Sequence, residues 1–477
     1  MSGGPLAALA ARAAARARET GRPVLASVVE PVADLDVDAL DALAQLATAS
    51  ADVDRMYWTR PADGFELAAA GAAAVLAPDA GDRFAAVDDA WRALAADALL
   101  DDASRGATGT GPLLLGGFSF DDAGPRSARW RGFPRARLTL PAALLTTVNG
   151  ARWLTTSVVV QPDGNLSAVA PTIALGARLR GASGRPRQAA ASPVRIETSD
   201  ARPAAEWRAV VEDAVAAIRA GALDKVVLAR EVRAHATSAF DVAATVARLR
   251  AAYRDCYVFA IWRGDRAFVG ASPERLVRLD GRAVRASSLA GSIRRGATPG
   301  EDAALVAQLR GSAKDRVEHA VVRAALLRSL GDLCDDVGAG AAPGVLTLPQ
   351  IHHLHTDVRG TLREGHSIFD LVGRLHPTPA VGGEPRAAAL EFLAEHERLD
   401  RGWYAAPVGW AGRDAAEFAV GLRSALVTGA DASLYAGCGV VADSDAEREL
   451  AESALKLRPM ELALSGAAGV AAHDGAA

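Results

Sequence analysis

The 477-residue sequence predicts an α+β fold built on large, mostly antiparallel sheets. Three observations lead there. Half of the residues are hydrophobic and 23% are charged, the composition of a globular chain. Strand-like segments come in blocks, without the strict strand–helix alternation of a parallel sheet. Asn149-Gly150 stands between two apolar runs, the signal of a tight antiparallel hairpin.

Taken in order, MSGGPLAALAARAAARARET opens the chain as an Ala-rich surface helix. Its Ala and Arg content would also suit a transit peptide or a membrane-surface helix, but it has neither a strongly apolar centre nor a cleavage pattern. RPVLASVVEPV is a strand, VDALDALAQLATA a helix, and RMYWTRPADGFELAAAG two strands joined at a Pro/Gly turn. Residues 81–104 are expected to be helical, and GPLLLGGFSFDD and ARLTLPAALLTTVNGARWLTTSVVV to be β. The stretch 181–203 is rich in Gly, Pro, Ser and Arg and is expected to be a loop or linker. It separates an N-terminal part, 1–180, from a second part, 204–465, with 466–477 as a disordered tail. The second part opens with the helix AAEWRAVVEDAVAAIRAG and the strand DKVVLAREV. Four β segments follow (CYVFAIW, RAFVGAS, ERLVRLD and RAVRASSLA). After the helix containing KDRVEHAVV come APVGWAG, EFAVGLRSALVT, ASLYAGCGVV and a long final helix.

Bulk properties exclude several function classes. A formal net charge of -4 leaves no concentrated basic field for nucleic acid. No run approaches the roughly 20 apolar residues of a membrane span. Three widely spaced cysteines (Cys256, Cys334 and Cys438) suggest neither a disulfide framework nor a zinc site, and the expected setting is the reducing cytoplasm.

Two acidic positions point to chemistry. Glu318 shares a helical face with Val321, Val322, Ala325 and Leu326, whereas Arg316, His319 and Arg323 form a polar face elsewhere. A carboxylate in an apolar stripe loses hydration and needs a cation, a donor or a proton. The plain alternative is a Glu at the stripe's edge that reaches water or a nearby Arg. In the last helix Ser444 and Glu447 form a capping signal, and Glu449, Glu452 and Lys456 share one face. That face is either a solvated acidic stripe or half of a cation site completed by Glu318. Magnesium would suit such a site, because it prefers oxygen ligands and is often held by one or two carboxylates plus an anionic substrate.

The strings DKVVLAREV, ASPERL, SSLAGSIRRG, KDRVEHAVV, LHPTPAVGG, RGWYAAPVGW, GLRSA and LYAGCGVVADSDAERE appear in the order found in chorismate-utilising enzymes, and the chain resembles that family over most of residues 200–465. RMYWTRPADGFELAAAG and GPLLLGGFSF extend the resemblance more loosely into the first half. The family includes isochorismate, salicylate, anthranilate and aminodeoxychorismate synthases. The resemblance implies one large α+β sandwich of mostly antiparallel sheets with flanking helices and no separable domains, so that 181–203 is a surface excursion. It implies that Glu318 and Glu449 bind magnesium with Glu452 close by, and that Arg423 and Lys456 bind substrate carboxylates. Gly437 and Gly439 would let backbone amides approach the same anion, Gly291 would line the other wall, and His353 would be a pocket histidine.

Within the family, Lys225 matches the lysine that activates water in isochorismate and salicylate synthases, and Glu274 matches the general acid that protonates the departing C4 hydroxyl. Without the resemblance, Lys225 would be a solvated strand-edge lysine and Glu274 a partner for Arg275 or Arg278. Ala290 stands where aminodeoxychorismate synthases carry a covalent lysine, and Ala380 where salicylate synthases place a threonine. The expectation is therefore a magnesium-dependent isochorismate synthase acting on chorismate, a monomer without a glutaminase subunit. The alternatives are a salicylate synthase and a non-catalytic chorismate- or metal-binding relative.

Overall fold

Two sheets pack face to face, and both halves of the chain enter each of them. The computed structural model describes residues 4–32, 37–49, 53–104, 106–182 and 194–466. Among the described residues the larger sheet has 13 strands and the smaller has 10. Arg55–Arg60 pairs with Tyr257–Arg263 in the larger sheet, and Leu114–Phe118 with Pro407–Ala411 in the smaller. Among the described strands every pair is antiparallel except Val24–Pro31 with Leu99–Asp102. That parallel edge strand lies inside the stretch 81–104 that was expected to be helical. The helix there runs only from Arg83 to Ala96, capped by Asp82, whose side chain accepts from the amides of Phe84 and Ala85.

The core lies between the sheets. Trp58, Phe259 and Phe268 from the larger sheet and Phe118, Trp410 and Phe418 from the smaller are all buried there. Each such ring contributes roughly 1.5–3 kcal/mol by leaving water. The opening helix, Pro5–Thr20, docks Leu6, Leu9 and four alanines on the strands Val24–Pro31 and Ala151–Val160. Of the stretch 181–203, Ile196–Asp200 is a strand on the edge of Lys225–Ala236, where a loop was expected. Residues 183–193, and the expected tail beyond Gly466, lie outside the described residues.

Two of the chain crossings between the sheets meet at one place. Arg266–Ser272 belongs to the larger sheet and Arg275–Asp280 to the smaller, with Pro273 and Glu274 between them. EFAVGLRSALVT looks continuous in sequence but is also broken. Ala415–Val420 lies in the smaller sheet and Ser424–Thr428 in the larger. Arg423 makes the break with φ at 49°, a left-handed backbone that only a well-supported non-glycine residue holds. The crossings support one another: the Ala271 amide donates to the Arg423 carbonyl at 3.1 Å, and the Val420 amide to the Glu274 carbonyl at 3.1 Å.

The helix Ala313–Gly331 packs on the smaller sheet against Ala283–Arg294 and Ile351–Leu362. Its buried face holds Glu318, Val322, Ala325 and Leu326, as the stripe predicted. It also holds His319, which was expected on the polar face. The His319 ring is buried with Nδ1 3.3 Å from the Ala290 carbonyl and Nε2 2.8 Å from the Thr356 hydroxyl. Burial draws its pKa down to about 4, so the ring serves as a neutral bolt between helix and sheet. The last helix, Ala446–Ser465, packs on Asp431–Val440, and its cap is Asp445 rather than Ser444.

A buried ion pair ties these parts together. Both Glu397 oxygens meet Arg401 at 2.6 Å, and Arg401 also donates to the carbonyls of Val227 and Val381 at 2.7 Å. Glu397 in turn accepts from the Ala229 amide at 2.7 Å. Removing one partner leaves an uncompensated buried charge. Glu397→Ala should therefore cost about 3–5 kcal/mol, read as a lower urea midpoint.

Candidate active site

A cavity opens at the seam where the two crossings meet. Its wall includes Glu274, Gly291, Glu318, His353, Ala380 and Arg423. Gly437, Gly439 and Lys456 complete the set of expected residues that line it. Lys225, Glu449 and Glu452 are not part of that wall; Lys225 meets it through Glu318 and Glu452 through Lys456.

Lys225 starts the strand Lys225–Ala236, whose neighbour Asp431–Val440 places Gly439 opposite Val227 and Gly437 opposite Ala229. The lysine is fully buried, where a strand-edge lysine would be solvated. Its Nζ lies 2.9 Å from Glu318 Oε1, yet it makes no well-aligned hydrogen bond, so charge alone holds the pair. Gly439 makes room for that pair. A Cβ there would stand 2.2 Å from Glu318 Oε1 and 2.8 Å from Lys225 Cε. A Cβ at Gly437 would meet the Leu228 carbonyl at 2.9 Å and the Tyr404 hydroxyl at 3.1 Å. The structure thus requires both glycines for space.

The other two glutamates are also paired with lysines. Glu449, buried on the last helix, meets Lys314 Nζ at 2.6 Å. Glu452 meets Lys456 Nζ at 2.6 Å, and Lys456 also donates to the Gly437 carbonyl at 2.9 Å. Burial, with the charge of Glu452, pushes the Glu449 carboxyl above its ordinary range. Burial also opposes ionisation of Glu452, but Lys456, Lys314 and Arg423 together outweigh it and the net shift is downward. Among the described residues no three His, Cys, Asp or Glu side chains converge closely enough to cage a metal ion. Glu318, Glu449 and Glu452 each offer carboxylate oxygens, and each is held by a lysine. Oxygen donors of this kind would suit magnesium completed by an anionic substrate rather than a self-sufficient zinc-type cage.

Glu274 sits at the first crossing, buried, and its carboxyl oxygens take no hydrogen bond among the described residues. Burial raises its pKa to about 8, against the opposing pull of Lys225 and Lys456. It is a carboxylic acid that keeps its proton at neutral pH. Arg423, at the second crossing, is a buried guanidinium with no carboxylate within ion-pair distance among the described residues. An unpaired buried cation beside a cavity is an anion site. Gly291 forms a bulge at φ 78° opposite His353, and a Cβ there would meet Asp315 at 2.9 Å. Among the wall residues not singled out from the sequence are Tyr404 and Arg401. Tyr404 presents a hydroxyl beside Gly437 and stacks on Tyr435, and Arg401 lines the wall from within its pair with Glu397. Both lie in RGWYAAPVGW, but nothing in that string says which polar atoms turn inward.

The model of the chorismate-binding enzyme family matches residues 11–465. The chain belongs to that family. It is 38% identical over 468 residues to a salicylate-biosynthesis isochorismate synthase of Pseudomonas aeruginosa, covering 96% of this chain and 94% of that one. It is 34% identical over 419 residues to isochorismate synthase MenF of Bacillus subtilis, covering 87% and 88%. Among solved structures, the menaquinone-specific isochorismate synthase MenF of Escherichia coli superposes with a TM-score of 0.75 at 26% identity, over 94% of this chain and 99% of that one. Anthranilate synthase component I of Streptococcus pneumoniae shares the fold, with a TM-score of 0.63 at 20% identity over 75% and 82%.

Gly439→Ala tests the packing of the buried pair. The added methyl group must push Glu318 or Lys225 aside, so chorismate consumption should fall by roughly 100-fold or more while far-UV circular dichroism is unchanged. A variant with normal turnover would show that the Lys225–Glu318 contact is dispensable.

Proposed function

We propose that the protein is an isochorismate synthase: it converts chorismate to isochorismate by adding water at C2 and releasing the C4 hydroxyl as water, with the double bonds shifting between. The observation that carries this is Glu274, a buried carboxyl held protonated to about pH 8 at the wall of an anion-binding cavity. Binding alone has no use for such a group, whereas a hydroxyl leaving the ring needs a proton at the moment its bond breaks. The near full-length match to isochorismate synthases supports the choice of reaction.

Each residue then has a task. Arg423 and Lys456 take the substrate's carboxylates and set the ring between Glu274 and the Lys225 side. Lys225, once its ammonium has lost a proton to solvent and released Glu318, is a neutral amine that takes a proton from the attacking water. Glu274 passes its proton to the C4 oxygen. Magnesium, if bound by Glu318 and Glu449 with Glu452 nearby, would orient and polarise the ring carboxylate. Ala290 and Ala380 both bear on the cavity wall, where an amine or a hydroxyl would reach the ring. Their methyl groups favour release of isochorismate over the covalent-lysine route and over continued elimination of pyruvate.

Purified protein incubated with chorismate and magnesium should yield isochorismate on chromatography. Salicylate and pyruvate as the main early products would replace this assignment with a salicylate synthase, and unconsumed chorismate would leave a binding protein. Lys225→Gln and Glu274→Gln should each lower turnover by about 100- to 10,000-fold with little change in substrate affinity. Because Glu274 must be protonated to act, the wild-type rate should fall as pH rises through about 8. Glu274→Gln should lack that limb in its residual activity.

A further inference from the structure

We propose that His353 is a neutral positioning residue, whose ring aims the Arg423 guanidinium without cancelling its charge. The inference rests on the assignment of Arg423 to a substrate carboxylate. Arg423 is held in a left-handed backbone, φ 49°, and its side chain makes one hydrogen bond among the described residues, from Nη2 to His353 Nε2 at 3.0 Å. A guanidinium only donates, so Nε2 must offer a lone pair. The other ring nitrogen, Nδ1, lies 2.8 Å from Ser292 Oγ. A neutral imidazole carries a single N–H, so with Nε2 accepting the proton sits on Nδ1 and is donated to the Ser292 hydroxyl. The bulge at Gly291 creates this arrangement by restoring register with Ser292 directly opposite His353. The charged or titratable groups acting on the ring are Arg423, Lys456 and His352, and burial adds to them in holding it neutral.

A carboxylate in this position would grip Arg423 more strongly and would also neutralise it. A neutral lone pair on a rigid ring fixes the direction and leaves the full positive charge for the substrate. Burial and the neighbouring cations Arg423 and Lys456 disfavour protonation of the ring.

The first test needs no substrate. Long-range nitrogen–proton correlation spectra of the free protein should show His353 as the neutral Nδ1–H tautomer from about pH 5 to 8. A protonated ring, or a proton on Nε2, would overturn the proposal. The second test compares three variants. His353→Leu loses the acceptor and should raise the KM for chorismate roughly tenfold to a hundredfold, with a smaller change in kcat. His353→Gln keeps an acceptor and should raise KM less than His353→Leu does. His353→Glu keeps a stronger acceptor but cancels the charge, so its KM should exceed that of His353→Gln even though its thermal midpoint does not fall below that variant's. Equal KM values for Gln and Glu would show that charge preservation is not the reason for the histidine, and this pair carries the test if the Leu variant fails to fold. If wild-type protein consumes no chorismate, the functional assignment fails instead, and the tautomer measurement decides the inference alone.

Discussion

The site depends on two strands that leave one sheet and enter the other at the same place. Glu274 rides on one crossing and Arg423 on the other, and each crossing lends a carbonyl to the other's amide. Backbone held in this way is stiff, and it lies between two hydrophobic layers rather than at the surface. An acid and a cation are thereby placed where water is scarce, which is the condition both need. Solvated, Glu274 would ionise and Arg423 would attract counterions.

Charge pairing sorts the remaining residues. Three carboxylates each face their own lysine: Glu318 with Lys225, Glu449 with Lys314, and Glu452 with Lys456. These pairs make the burial of Lys225, Glu318 and Glu449 tolerable, since an isolated buried charge costs several kcal/mol. Glu274 and Arg423 remain unpaired, one neutral through its proton and the other charged. The paired groups hold the site together, whereas the unpaired ones are free to act on a ligand. Lys225 belongs to both sets, because it is paired through charge but not through an aligned hydrogen bond.

Much of this was legible in the sequence, for reasons that can be named. Glu318 could be read as inward-facing because Val322, Ala325 and Leu326 share its helical face, and that pattern is local. His319 was misplaced because its partners, Ala290 and Thr356, come from strands that helical periodicity says nothing about. EFAVGLRSALVT reads as one strand because alternation gives no sign of a change of sheet; only Gly421 and the left-handed Arg423 mark the break, and an arginine does not announce that conformation. The burial of Lys225 was implied by resemblance and not by its neighbours. A lysine at a strand's start looks solvated until Gly439 of the adjoining strand is seen to make room for it.

Glycine and histidine in this site share one physical logic. Gly439 omits a side chain so that two charged groups can meet, and Gly291 bends the strand so that a neutral ring can meet a charged one. Neither residue performs chemistry, yet both decide how much charge the substrate encounters. A buried site tuned in this way tolerates few substitutions, because the low dielectric that strengthens each correct contact also magnifies each misplaced one. Substitutions that preserve charge but alter volume at Gly439, or preserve volume but alter charge at His353, should therefore be felt at the substrate although neither side chain is assigned to touch it.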